Sequence, residues 1–362
     1  MGTTFSLDKG LSIPSVFQQK YIPSLNGLRA VAILLVVAEH LKYGDYCPGI
    51  FFVLSRYLAL GSFGVQIFFV LSGFLITGLL LKEKVETSRI ALKKFYLRRM
   101  LRIVPAFYFY LGFIILFKCL YIVYAGNEAI LASGLFVINF IKAPNSWLTG
   151  HSWSLAVEQQ FYLVLPLLIV FLPRKYPFVI IAVTLYYIFY YYLRYYHFLF
   201  IFRGFLFTAP ALMAGALLSV ALFKGWLKNM HGILMHPVFA FSLLFAAMSF
   251  LPRSFNFAPL FFYPFDYLVS SLLIAVFIYY IVHCDAKNIV YKVLNFPVIS
   301  YLGVLSYSLY LWQEPFLARA ENYQVKPFWT AYPLNLLFVV TAALLSYYLV
   351  ERPFLRLKIY LR

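Results

Sequence analysis

Three groups of residues in this chain have types and spacings suited to chemistry. Arg29 and His40 lie eleven apart in the apolar run 25–41. At about 100° per residue this passes three full turns by roughly 20°, so both share one helix face, about 16 Å apart along the axis. An arginine and a histidine on one face of a membrane span are costly and usually functional. Glu158 closes the stretch Trp153-Ser154-Leu155-Ala156-Val157-Glu158 at the head of another apolar run. It is expected at the depth of His40, where a carboxylate would fix the imidazole tautomer and support its cation, an acid–base pairing. Arg99 and Arg102, three apart, present a guanidinium fork that suits phosphate. The bland alternatives are a snorkelling Arg29, a basic anchor over 82–102, and a Glu158 that only complements its own helix dipole. His151, in the loop before Trp153, reads as an exposed histidine.

The elements that must position these groups are membrane helices. Of the 362 residues 64% are hydrophobic and 12% charged, against about 45–50% and about 25% in soluble chains. The fold class is all-α, a polytopic membrane helical bundle of about ten transmembrane helices. Apolar runs fall near 25–43, 62–82, 101–124, 152–172, 177–196, 204–223, 234–251, 266–283, 298–318 and 333–351. The weaker stretch 129–141 reads as a short outer or re-entrant helix. No internal repeat is evident, which speaks against inverted transporter halves. The expected organisation is one integral-membrane domain over 1–362, with 1–22 a cytoplasmic tail and no appended soluble domain or cleavable signal. The tyrosine-rich run Tyr186 to Tyr196 suits an interfacial belt. Cys47, Cys119 and Cys284 show neither metal spacing nor a disulfide framework, and no metal site is expected.

Basic residues set the orientation. With the N-terminus inside, twenty of the 30 Lys and Arg fall on inner segments and eight on outer ones, with Arg29 and Lys118 inside spans. Both termini are therefore expected in the cytoplasm of a multi-pass cell-membrane protein. The net charge of +18 then reflects topology and attraction to the lipid bilayer, with no nucleic-acid partner implied.

At these residues the chain resembles the membrane acyltransferase-3 family of O-acyltransferases. The resemblance rests on Arg29 and His40, the run Phe63-Gly64-Val65-Gln66-Ile67-Phe68-Phe69-Val70-Leu71-Ser72-Gly73-Phe74, and the segment Phe95 to Pro105. It continues through Trp153 to Glu158, Leu305-Ser306-Tyr307-Ser308-Leu309-Tyr310-Leu311-Trp312 and Glu351-Arg352-Pro353, in family order along essentially the whole chain. It implies transfer of an acyl group, acetyl being expected, from cytoplasmic acyl-CoA to a hydroxyl of a cell-surface or lipid-linked saccharide. Acyl-CoA would be a co-substrate, with no permanently bound cofactor. By the same resemblance His40, Glu158 and Arg29 are the catalytic set, and Arg99, Arg102 and Arg98 bind the donor. Trp153, Ser154, Tyr307 and Gln313 are assigned to the substrate. Two positions depart from the family pattern: Gln66 replaces a common aspartate and Gln313 a common histidine, so Gln313 cannot carry acid–base work. A transporter or flippase of an anionic lipid or solute, and a non-catalytic glycan- or lipid-binding relative, are the rival readings.

Cysteine labelling checks the orientation. A cysteine at Asn127 or Asn256 reacts with an impermeant thiol reagent added outside intact cells, and one at Glu86 does not; the reverse pattern overturns the charge argument.

Overall fold

The computed structural model describes residues 11–19, 21–42, 49, 60–141, 147–195, 205–248, 263–325 and 327–361. Its principal helices, in chain order, are α1 (Pro23–Leu41), α2 (Leu60–Thr87), α3 (Leu92–Cys119), α4 (Asn127–Gly134) and α5 (Ser152–Phe171). They continue with α6 (Tyr176–Tyr195), α7 (Phe205–Phe223), α8 (Tyr263–His283), α9 (Pro297–Trp312) and α10 (Leu334–Ser346). No strand occurs among the described residues, and one isolated bridge pairs Val123 with Tyr323. The all-helical class and the short helix after α3 therefore agree with the sequence. Among the described residues six helices are long and apolar enough to cross a membrane, against the roughly ten expected: Pro23–Leu41, Gly61–Thr87, Leu92–Cys119, Trp147–Phe171, Asp266–His283 and Leu334–Leu361. A bent pair, Thr208–Phe223 with Lys228–Leu234, raises this to seven if it is one span.

Two apolar runs are broken, and proline breaks both. The run 234–251 becomes the single turn His231–Leu234, the 3₁₀ segment Pro237–Phe241 and the short helix Ser242–Met248. His236, ahead of Pro237, is extended at φ −61°, ψ 137°, because a residue before proline avoids the helical region. In the run 298–318, α9 stops at Trp312 and one further turn follows at Glu314–Leu317. Pro315 has no N–H for the Leu311 carbonyl, and its ring crowds that carbonyl. Residues 249–251, Tyr196, Cys47 and Asn256 lie outside the described residues. Cys119 and Cys284 are free thiols.

The chain divides into two compact units. The first comprises Met1–Leu25, Gln66–Leu92 and Phe161–Phe296. In it α2 and α7 meet through small residues: a Cβ on Gly73 would strike the Leu212 carbonyl, and one on Gly215 the Val70 carbonyl. The two backbones can approach only because these positions lack side chains. Gln66 is fully buried here. Its Nε2, with two protons to give, lies within hydrogen-bond reach of the Tyr267 carbonyl (2.9 Å) and the hydroxyls of Ser270 (2.7 Å) and Ser271 (2.8 Å), and the Ser270 hydroxyl is 3.1 Å from Oε1. Gln66 thus serves to fasten α2 to α8. The N-terminal turn Ser15–Gln18 inserts Phe17 against Phe74 and Phe223, and Lys82 donates to the Phe17 carbonyl (2.7 Å).

The second unit comprises Asn26–Val65, Lys93–Gln160 and Pro297–Arg362. Helix α9 is its axis. Gly303 lets α9 press on the Asn26 carbonyl of α1, and Tyr307 donates to the Ile103 carbonyl of α3 (2.8 Å). Ser308 donates to Glu351 Oε2 (2.9 Å), which sits on a single π-helical turn, Tyr347–Glu351, following α10. These contacts hold α9 close to its neighbours, so its end is a rigid place to mount a site.

Gln66→Ala leaves the Tyr267–Ser271 turn short of its buried partner. It should cost about 1–3 kcal/mol, read as a lower melting temperature in detergent. An unchanged melting temperature would mean that the network does not hold α2 to α8.

Candidate active site

The site lies in the second unit, where α9 ends. The break at Pro315 sets Glu314 just past the helix terminus with 3% of its surface exposed. Its Oε1 stands 3.1 Å from His40 Nε2. The other ring nitrogen, Nδ1, is 2.8 Å from the Val36 carbonyl one turn back on α1. A carbonyl only accepts, so Nδ1 carries a proton. Trp147 meets the His40 ring edge-on at 6.2 Å. The neighbouring acid, Glu39, is engaged elsewhere: it accepts from the Gly61 amide and lies 3.1 Å from Lys42 Nζ.

His151 faces the same carboxylate, with Nδ1 4.0 Å from Glu314 Oε1. It is buried, contrary to the exposed histidine expected from its loop position. Its ring lies edge-on to Tyr110 (5.4 Å) and Tyr310 (5.3 Å), and neither ring nitrogen has a hydrogen-bond partner. Tyr310 donates its proton to the His151 carbonyl (2.6 Å), which leaves the Ser154 hydroxyl to donate to the Tyr310 oxygen (2.6 Å). Tyr110 donates to the Leu148 carbonyl, and Trp312 packs on Phe109, Tyr110 and Phe113. Two imidazoles thus converge on one carboxylate inside an aromatic wall. Gln313 is fully buried, and neither atom of its amide makes a hydrogen bond. The indole N–H of Trp312 is likewise unpaired. Unpaired buried donors and acceptors cost about 1–3 kcal/mol each, which a polar ligand would relieve.

The structure does not make Glu158 the carboxylate of His40; that place belongs to Glu314. The physical reason is depth. His40 and His151 both reach Glu314, while Glu158 lies six residues into α5, about 9 Å further along the helix axis. Glu158 instead acts electrostatically on the hydroxyls of Tyr307 and Tyr310. Sequence reasoning missed Glu314 and His151. The available signal was a lone acidic residue directly before a proline at the end of an apolar run.

A second cluster gathers at the opposite end of α1. Arg29 donates to Asn26 Oδ1 (3.4 Å), both residues lying within the helix that begins at Pro23. Arg98 donates to the Leu361 carbonyl (3.2 Å), and Arg99 lies over the Phe95 ring at 5.6 Å. Glu351 feels Arg102, Lys358 and Arg29, and Lys358 in turn feels Arg102, Arg99 and Arg98. The three arginines singled out for phosphate thus share one neighbourhood, and Lys358 joins them unforeseen. Of the residues assigned to the substrate, Ser154, Tyr307 and Gln313 are inside the unit, whereas Trp153 keeps 36% of its surface exposed.

A family model described as an acyltransferase domain matches residues 22–351. The peptidoglycan O-acetyltransferase OatA of Listeria monocytogenes is 28% identical over 175 residues, which cover 43% of this chain and 25% of that protein. The O-acetyltransferase OatA of Staphylococcus aureus is 30% identical over 177 residues, 45% of this chain and 27% of that one. A further Staphylococcus aureus protein, whose name also gives an O-acetyltransferase, is 29% identical over 366 residues, 93% of this chain and 58% of its own length. The chain therefore spans about a quarter of the length of the first two relatives. No solved structure matches it.

Proposed function

Because this chain belongs to the acyltransferase-3 family, we propose that it is an integral-membrane O-acyltransferase. It carries an acyl group, acetyl above others, from acyl-CoA to a hydroxyl of a cell-surface or lipid-linked saccharide. The observation that carries this reading is the pair of half-buried His40 and buried Glu314 at 3.1 Å, in a chain matched over 22–351 by an acyltransferase model. The names of the relatives supply the acetyl group and the envelope glycan as the first substrates to try. In this reading all ten apolar runs cross the cell membrane and both termini face the cytoplasm.

Each cluster then has a task. Arg98, Arg99, Arg102 and Lys358 hold the phosphates of CoA, and Arg29 lines the way toward the thioester. The His40–Glu314 pair accepts the proton of the attacking hydroxyl. Positioned acid–base groups contribute typically 10²–10⁴-fold to such a step. The unpaired Gln313 amide and Trp312 indole offer hydrogen bonds to a polyhydroxylated acceptor, and the aromatic wall suits the apolar faces of a sugar ring. Glu158, Ser154 and Tyr307 belong to the frame between the two clusters.

The test uses purified protein in lipid nanodiscs with acetyl-CoA and a peptidoglycan fragment. Free CoA thiol should appear only when both are present, and His40→Gln should reduce its rate at neutral pH by at least about 10². Transport of the fragment without thiol release would favour the flippase reading. Arg99→Ala should weaken acyl-CoA binding about ten- to a hundredfold, with Arg99→Lys only partly restoring it, since an ammonium lacks the planar fork. Normal binding by a poorly folding Arg99→Ala would leave Arg99 as a membrane anchor.

A further inference from the structure

We infer that the atom receiving the acceptor's proton is Glu314 Oε2, with His40 as the cation that keeps this carboxylate ionised. The inference rests on the O-acyltransfer reading above and assigns the base within it.

The hydrogen-bond chemistry leaves little choice. His40 Nδ1 must donate, because the group 2.8 Å away is the Val36 carbonyl. A neutral ring protonated at Nδ1 has its only lone pair at Nε2. Glu314 Oε1 lies 3.1 Å from that nitrogen, and two lone pairs do not face each other at this distance. One proton therefore sits between them, and in the ion pair, with Glu314 ionised, it is on the nitrogen. Nε2 then has no lone pair to offer a hydroxyl. Glu314 Oε1 is occupied by the same proton and has His151 as its other neighbour at 4.0 Å. Both ion-pair contacts fall on Oε1. Oε2 is the remaining basic site of the pair.

The reaction balances through that atom. The acceptor hydroxyl oxygen bonds to the thioester carbonyl carbon while its proton passes to Oε2. The resulting tetrahedral centre expels the sulfur, breaking C–S, and the proton on Glu314 is delivered to the departing CoA thiolate. The products are the ester and CoA thiol, and the pair returns to its starting protonation. His40 stays an imidazolium throughout and offsets the cost of a buried carboxylate. His151 Nδ1 stands 4.0 Å from Oε1, a second polar neighbour of the oxygen that does not take the proton.

Glu314→Gln and His40→Gln separate the roles. Glu314→Gln keeps size and polarity, so it should bind acetyl-CoA normally and lose transfer by 10² or more at every pH. His40→Gln removes the counter-cation, so the buried carboxylate holds a proton near neutrality, and transfer should return as the pH is raised. Other ionisable groups facing the pair are His151, Tyr110, Tyr310 and Tyr323 around Glu314, and Glu39 beside His40. Control profiles of His151→Asn and Tyr310→Phe therefore accompany the test, and the alkaline return must persist in combination with each. Glu314→Asp draws the carboxylate back and should retain a measurable fraction of the rate, which guards against a folding defect in the glutamine variant. A Glu314→Gln enzyme within tenfold of wild type, or a folded His40→Gln enzyme inactive at every pH, overturns the inference and returns the proton to His40. If wild-type protein releases no thiol with any saccharide, it is the O-acyltransfer reading that fails.

Discussion

The second unit depends on a single electrostatic constraint: one buried carboxylate faced by two imidazoles. A carboxylate taken out of water is costly unless a charge and hydrogen bonds compensate it. His40 supplies the charge at 3.1 Å, and His151 stands at 4.0 Å. Either imidazole alone would have to be placed accurately for this to hold. The Val36 carbonyl fixes the rotation of the His40 ring, and Tyr310 ties down the His151 backbone. The site is thus over-determined by bonds that have no part in the chemistry, as preorganised electrostatics requires.

Proline 315 is the device that makes the constraint possible. A helix continuing through Gln313 carries Glu314 round the cylinder by about 100° per residue. The backbone stays helical through Gln313, which still donates to the Leu309 carbonyl (3.1 Å), and beyond it one turn, Glu314–Leu317, carries the carboxylate. The break also releases polar backbone inside the unit, where protein has to cover it. Gln313, Glu314, Pro315, Phe316 and Leu317 are all buried, so the cover is present. The same chemistry produced a different outcome at Pro237, where the chain runs through half-buried and exposed residues with no ionisable pair.

Much of this was legible in the sequence where the signal was local. The shared face of Arg29 and His40 follows from an eleven-residue spacing, and both lie on one continuous helix, Pro23–Leu41. The basic fork of α3 likewise needed only a helix to bring its arginines to one neighbourhood. The failures came from information that is not local. Glu158 was matched to His40 by assumed depth, and α5 does begin at Ser152 as the run 152–172 implied, but the turn after α9 brings a different carboxylate, Glu314, to 3.1 Å from the ring. His151 looked exposed because loops usually are, yet tertiary packing buried it against Tyr110 and Tyr310. Gln66 advertised hydrogen-bonding capacity, but its partners Ser270 and Ser271 are about two hundred residues away in sequence.

The cationic cluster makes sense only when set against the ion pair. Arg98, Arg99, Arg102 and Lys358 share a neighbourhood in which Glu351 is the acid that moderates them, and Glu351 is also held by Ser308. Like charges gathered in one neighbourhood repel one another, and a polyanion bound there would relieve that repulsion. In the proposed reaction the phosphates of the donor supply it. Their binding energy is gained away from the reacting carbon, where it can fix the orientation of a thioester that offers few handles of its own. The separation of about 16 Å between Arg29 and His40 along α1 then has a purpose. It keeps the strongly cationic end, which would stabilise any anion, away from the carboxylate that must give and receive a proton.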